Sequence, residues 1–318
     1  MLKNNDTTAR ILIAYDGSGY SHAILNELES SGLPHTAEVL IISVSEVWLP
    51  VKHQESEALP DRDLIEYFRK HLEQFEKNLA EARAIVNLAR EDLLKFFPDW
   101  SIQVKIVSGS PAREILLKAG KFKPDLIVVG ERGLSSDQDV GLGSTSQTVL
   151  AEAKCPVRIS RFKPPADRLR LKILIGFDGS PGSMIAIKWA VSRAWQTKPE
   201  IRLVTVTDPF TLLKPGRVLQ PIQGMSEGKI EGEQKWVQNL AVNALQLLRG
   251  AGLSATLHIY SGNPRMVLIG EATKWDADAV FIGATSGENR PEFYPLGCVA
   301  SAIANRATCS VEVVREIM

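Results

Sequence analysis

The 318-residue chain is poor in cysteine, modest in aromatics, and has no surplus charge of either sign. Its three cysteines, Cys155, Cys298 and Cys309, form no CxxC pair and no Cys/His cluster with zinc spacing. That leaves no disulfide framework or zinc site to build on, and so sparse and odd a count suits a reducing compartment. Lys plus Arg and Asp plus Glu both total 37, for a formal net charge of zero. No overall field therefore draws the chain to nucleic acid or to an anionic membrane. No apolar run approaches the roughly 20 residues that cross a bilayer. The polar start MLKNNDTTAR lacks the apolar segment and cleavage site of a secretory leader. These absences predict a cytoplasmic protein, with neither nucleic acid nor membrane as partner. What remains is 44% hydrophobic and 23% charged, an ordinary globular composition with length for about two domains.

Those two domains are copies of one another. ILIAYDGS at 11–18 recurs as ILIGFDGS at 173–180, so Asp16 and Asp178 are 162 residues apart. SGSP ending at Pro111 recurs as SGNP ending at Pro264, and DLIVVG ending at Gly130 as DAVFIG ending at Gly283, both at an offset of 153. Gly143 and Gly297 differ by 154, as do Cys155 and Cys309. A nearly constant offset across several motifs marks a tandem repeat. The expected boundaries are a first domain over 1–162, a Pro-Pro-containing linker over 163–170 and a second domain over 171–318.

Within the first copy, strands are predicted near 10–15, 37–44, 101–107, 125–130 and 156–161, with helices near 19–30, 61–97, 110–121 and 144–153. ILIAY, VLIISV and LIVVG are apolar without alternation, as parallel strands covered on both faces are. The second copy repeats the order, with strands near 171–177, 200–206, 254–260, 279–283 and 310–314. Alternation of this kind predicts an α/β fold with two doubly wound domains, each a five-stranded parallel sheet with flanking helices. The stretch 61–97 carries one apolar stripe from Leu64 to Phe96. At roughly 50 Å it outruns a small sheet. It is either a core stripe, broken or not, or a helix whose overhang packs on the other repeat or on a partner chain.

The segment GERGLSSDQDVGLGSTSQTVL, residues 130–150, carries the chemistry. Gly130 ends a strand, Gly133 follows, and after nine intervening residues Gly143 precedes Ser144, Thr145 and Ser146 at the start of a helix. Glycines let backbone N–H groups approach an anion unobstructed. A helix start adds unpaired N–H groups and the positive end of its dipole. Hydroxyls add further donors. The loop lies beyond the carboxyl end of a strand, where open α/β sheets bind ligands. Arg132 either reaches a phosphate, with Glu131 opposing it, or joins Glu131 in a solvated loop tip. Asp137 and Asp139 either hold Mg²⁺ through water or keep the loop soluble. Taken alone, Asp16 also reads as a helix N-cap.

The pattern Gly, two residues, Gly, nine residues, Gly, Ser at Gly130, Gly133, Gly143 and Ser144 resembles the signature of the universal stress protein family. The DGS after the first strand, the SGSP before the third helix and the Cys-Pro-Val before the last strand match it too. The likeness spans both copies and implies a tandem member whose halves are related by a pseudo-two-fold axis, with strands 156–161 and 310–314 at that axis. It further implies ATP as ligand, alone or with Mg²⁺. Asp16 and the backbone near Ala14, Tyr15 and Val44 would hold adenine and ribose. Gly130, Arg132, Gly133, Gly143, Ser144, Thr145 and Ser146 would hold the phosphates.

The second copy departs from this pattern. Its loop, GATSGENRPEFYPLGC at 283–298, has Ser286 for the second glycine and Cys298 for the helix-opening hydroxyl. Pro291 and Pro295 stiffen it, and Glu288 and Glu292 would repel an anion. Cys298 reads as a small filler or as an activated thiolate at a helix start. The apolar segment 207–225 either covers a pocket or forms an interface. Three functions follow: an ATP-binding stress or regulatory protein using the first copy only, an enzyme of a related adenine-nucleotide fold, and an interaction scaffold. The enzyme would need a richer glycine turn than DGSGYS and a catalytic base that no histidine motif supplies. Beyond ATP, the candidate partners are a second copy of the chain, as a homodimer, or other proteins that the sequence does not identify.

Overall fold

The computed structural model describes residues 8–45, 61–133, 141–161, 163, 170–207, 241–285 and 296–316. The first repeat runs β1 (Ala9–Ala14), α1 (Gly19–Ser30), β2 (Ala37–Ser45), α2 (Asp61–Phe96), β3 (Ser101–Ser108), α3 (Pro111–Phe122), β4 (Leu126–Gly130), α4 (Ser144–Glu152) and β5 (Val157–Ser160). The second runs β6 (Lys172–Gly176), α5 (Pro181–Val191), β7 (Glu200–Thr207), helical residues 241–250 (α6), β8 (Ser254–Ser261), α7 (Pro264–Lys274), β9 (Ala279–Gly283), α8 (Cys298–Arg306) and β10 (Ser310–Val314).

The uniformly apolar strands divide their side chains between two cores. Ile11 and Ile13 face one side of the sheet with Val86 and Leu93 of α2, while Leu12 faces the other with Ile115 of α3 and Val149 of α4. Both faces of the inner strands are covered, so runs such as Ile11–Ile13 are apolar without alternation, whereas the edge strand β3 (Ser101–Ser108) alternates exposed and half-buried residues. The sheet order is β3-β2-β1-β4-β5-β10-β9-β6-β7-β8. Pairing is parallel within each repeat and antiparallel only where β5 meets β10. The join is centred on Arg158 opposite Glu312, with Val157 opposite Val313 and Ile159 opposite Val311. Because equivalent residues are 154 apart here, this register is the pseudo-two-fold axis, at the strands where the family resemblance implies it.

Two further contacts lock the repeats together. Arg161 donates to the carbonyls of Ala304 and Cys309, at the end of α8. Its counterpart Arg315 donates to those of Leu150 and Ala153, at the end of α4. Each repeat thus places a cation on the carbonyl end of the other's last helix, where the dipole favours it. On the opposite face of the sheet the Ala194 N–H donates to the Gly32 carbonyl at 2.9 Å.

The 36 residues of α2 form one unbroken helix, roughly 54 Å long at 1.5 Å per residue. It lies on β2, β3 and α1 of its own repeat. Gly17, at φ +79°, brings the β1–α1 turn beneath Ile85, whose Cγ2 would stand 2.7 Å from any Cβ there. Most side chains of the first turns, and with them the expected overhang contact, fall outside the described residues. No helix among the described residues is long and apolar enough to cross a membrane.

Candidate functional site

A cavity of about 790 Å³ opens at the carboxyl ends of β1, β2 and β4. That is within the range of roughly 300–1,000 Å³ typical of small-molecule sites. Every candidate residue named from the sequence borders it except Ser146: Ala14, Tyr15 and Asp16 from the end of β1, Val44 from β2, Gly130, Arg132 and Gly133 after β4, then Gly143, Ser144 and Thr145. Ser146 is buried and donates through Oγ to the Gly130 carbonyl at 2.6 Å, tying α4 to the end of β4.

The glycines act by close approach. A Cβ on Gly133 would lie 2.7 Å from Asp16 Oδ2, so the carboxylate rests directly against the loop. Asp16 Oδ1 accepts from the Ser18 N–H at 3.0 Å. The N-cap of α1 is Ser18, not Asp16: its side chain accepts from Ser21 N–H. Helix α4 begins on Gly143 with no side chain capping its first N–H groups. Those groups and the hydroxyls of Ser144 and Thr145 are therefore a donor set at a helix N-terminus.

The ends of the loop are closed by two hydrogen bonds, Gly143 N–H to the Glu131 carbonyl at 2.8 Å and Arg132 Nε to the Gly141 carbonyl at 3.1 Å. The Arg132 guanidinium also lies 5.9 Å from the Tyr20 ring centre at the mouth of the cavity. Glu131 corrects the sequence expectation. It is neither a loop tip nor a charge facing the cavity, for its Oε2 accepts from Arg161 Nε at 2.8 Å. Tyr15 turns its ring into the core and its hydroxyl to His22 Nδ1 at 2.9 Å, and burial pushes the phenol up to about 12. Asp137 and Asp139 lie outside the described residues. Among those described, no three His, Cys, Asp or Glu side chains cluster as a metal site.

Sequence reading missed the fourth wall. Asn78, Glu81, Ala82 and Ile85 of α2 line the cavity, as does Gln147 of α4. The α2 residues are spaced i, i+3, i+4, i+7, one helical face, but a face mixing amide, carboxylate and methyl groups has no apolar signal to mark it.

The second repeat holds only about 100 Å³ at the equivalent place, beside Asp178, Ser180 and Cys298. Asp178 keeps its turn, with Oδ1 accepting from Ser180 N–H at 3.0 Å, and Gly297 N–H still donates to the Ala284 carbonyl at 2.7 Å. The difference is at position 182. Gly182 stands where the first repeat has Tyr20, and the Thr285 carbonyl falls within the space that a Cβ there would need. The chain after β9 has sunk onto the start of α5. Ser286, Gly287, Glu288, Pro291, Glu292 and Pro295, and the segment 208–225, lie outside the described residues.

A duplicated, parallel-stranded α/β domain with its principal cavity at the strand ends, joined edge to edge across a pseudo-two-fold axis, defines the class. The Universal stress protein family model matches residues 7–161 and 170–315, and the chain belongs to that family. It is 36% identical over 151 residues to a universal stress protein of Thermus aquaticus, covering 48% of this chain and 97% of that one. To the universal stress protein Sll1388 of Synechocystis it is 27% identical over 157 residues, covering 47% and 96%. Over the whole chain the fold is similar to a universal stress protein from Archaeoglobus fulgidus, with a TM-score of 0.58 at 20% identity, covering 96% of this chain and 98% of that one. A Pseudomonas aeruginosa putative universal stress protein gives the same TM-score at 14% identity, covering 97% and 93%.

Proposed function

We propose that the chain is a cytoplasmic ATP-binding regulatory protein of the stress response, holding one ATP per chain in the first repeat. The observation that carries this reading is the disparity between about 790 Å³ in the first repeat and about 100 Å³ in the second, on one shared fold. In the larger cavity the N-terminus of α4, Ser144, Thr145 and Arg132 would take the phosphates. Asp16 and the backbone at Ala14, Tyr15 and Val44 would take adenosine. Mg²⁺ would enter with the triphosphate, which neutralises part of its charge. The donor set fits such an anion because a triphosphate enters a protein only where N–H and O–H groups replace its water. The equivalent place in the second repeat has roughly an eighth of the first cavity's volume. In this reading residues 1–162 form the nucleotide-binding repeat, 163–170 a connector, and 171–318 its pairing partner.

The test is mass spectrometry of small molecules released from the purified, heat-denatured protein, followed by calorimetric titration with ATP. One ATP per chain is expected. No nucleotide and no binding heat would overturn the reading, and two per chain would overturn its asymmetry.

A further inference from the structure

Among the described residues, Arg161 is the one side chain whose hydrogen bonds join the candidate nucleotide loop to the other repeat. It is 5% exposed, and its guanidinium has two sets of partners. Nε donates to Glu131 of the loop at 2.8 Å, Nη1 donates to the Cys309 carbonyl at 3.1 Å, and Nη2 donates to the Ala304 carbonyl near the end of α8. Gly141, where the loop returns, stands beside the same helix: a Cβ there would lie 3.8 Å from Asn305 Oδ1. The molecule contains its own control. Arg315, the counterpart of Arg161, likewise donates to two carbonyls at the end of α4, of which Leu150 is the match of Ala304, but Ala284 stands where the first repeat has Glu131. Its buried Nε has no hydrogen-bond partner among the described residues. The repeat with the tie has the larger cavity, and in the repeat without it Thr285, just after β9, lies against Gly182 of α5.

From this we infer that Glu131 and Arg161 are positioning residues through which the second repeat braces the first repeat's nucleotide loop. The inference rests on the ATP reading for its ligand, though not for its geometry. Glu131 faces away from the cavity and its backbone carbonyl closes the loop on Gly143 N–H. Fixing its side chain therefore fixes the loop backbone that presents donors to the phosphates. Binding at the loop and order at the end of α8 are then linked reciprocally. The second repeat acts as the frame of the first repeat's site.

The experiment uses the full chain with Glu131→Ala, Glu131→Gln and Arg161→Lys. Hydrogen exchange without nucleotide is read over 130–133, 141–147 and 298–306, together with ATP affinity by calorimetry. Glu131→Ala is expected to stay folded, to speed exchange in the loop and in α8 alike, and to weaken ATP binding roughly tenfold (~1.4 kcal/mol). Glu131→Gln keeps an acceptor for Arg161 Nε and should retain both properties. Arg161→Lys, unable to span both partners, should resemble Glu131→Ala. Unchanged α8 exchange in Glu131→Ala would overturn the brace, as would equal losses in the Ala and Gln variants. If the wild type binds no ATP the functional reading fails instead, and nucleotide-free exchange in α8 still decides the brace.

Discussion

Arg158 and Glu312 are the same position in the two repeats, and they face each other. They are 154 residues apart, paired in register, 3% and 0% exposed, with Arg158 Nη1 2.6 Å from Glu312 Oε2. A residue on a two-fold axis meets its own copy. In a true dimer of either repeat this position would bury two guanidinium groups or two carboxylates together. Two different copies, here fused in one chain, place one of each. The pair extends on both sides: Arg158 also binds Glu27, and Glu312 also accepts from Trp189 Nε1 and Arg193. Negative and positive groups alternate along Glu27, Arg158, Glu312 and Arg193.

Removing the charge of Glu312 leaves two buried guanidinium groups short of a partner. Glu312→Gln should therefore cost about 3–5 kcal/mol, the usual penalty for breaking a buried pair from one side. Denaturant unfolding would measure it. A loss under 1 kcal/mol would mean that the network contributes register but little stability.

The same carboxylate predicts a pH dependence. Burial alone would raise the Glu312 carboxyl, but Arg193 and Arg158, with hydrogen bonds from Trp189 and Arg158, hold it below its usual 4.5. A folded value below the unfolded one stabilises the fold above the unfolded value, and that stability is lost as pH falls through the folded one. Wild-type unfolding free energy should hold steady from neutrality to about pH 4.5 on this account and drop below it. Glu312→Gln should show a shallower drop there. Parallel acid limbs for the two proteins would show the assignment to be wrong.

Gly133 and Gly143 separate ligand effects from folding effects. A Cβ on Gly133 collides with Asp16 Oδ2, whereas one on Gly143 meets nothing closer than Arg132 Cα at 3.4 Å. Gly133→Ala should displace Asp16 and weaken ATP binding by at least about tenfold, one lost charged hydrogen bond's worth. Gly143→Val should fold and lose binding, because its branched side chain covers the α4 N-terminus. Calorimetry on both variants, with circular dichroism as the folding check, decides this. Unchanged affinity in folded Gly143→Val would remove the phosphates from this loop.

Much of this was legible in the sequence because the relevant residues are close in the chain or repeated. The strand runs, the DGS turns and the spaced glycines each carry their own local signal. Ser146 was misread because a hydroxyl at a helix start can donate outward or back to a strand, and only the depth of β4 beneath it decides. Glu131 differs from expectation because its partner Arg161 lies 30 residues on, just after β5, a strand whose other neighbour, β10, comes from the second repeat. The α2 wall and the Arg158–Glu312 pair likewise depend on which surfaces meet, a property of the assembled sheet and not of any window of sequence.

The thiols should divide one against two. Burial pushes Cys155 up to about 12 and Cys309 up to about 11, against partial opposition from Arg315 and Arg161 respectively. Neither forms appreciable thiolate at pH 8. Cys298 is exposed at the start of α8. A colorimetric thiol reagent should therefore titrate one group in the native chain at pH 8 and all three after denaturation. Fast reaction of two groups in the native chain would show that a core around β5 or β10 opens readily.

The collapsed second site makes the sharpest contrast, because two glycines on helices of the same repeat should respond in opposite directions. Gly270, in α7, has nothing within 4 Å of a built Cβ. Gly270→Ala should stabilise the protein by about 0.5–1 kcal/mol, from reduced backbone freedom in the unfolded chain. Gly182, in α5, has the Thr285 carbonyl within that space and the Gly283 Cα 3.8 Å from the same built Cβ. Gly182→Ala should destabilise by about 1–3 kcal/mol, as overfilling a close contact does. Gly182→Tyr, which restores the residue of the first repeat, should cost at least as much, because the chain after β9 must be pushed off α5. Neither Gly182 variant should alter ATP affinity, since position 182 is remote from the first cavity. Denaturant unfolding and ATP calorimetry on the three variants suffice. A neutral or stabilising Gly182→Ala would mean that the Thr285 segment does not rest on α5, and that the small cavity of the second repeat has another cause.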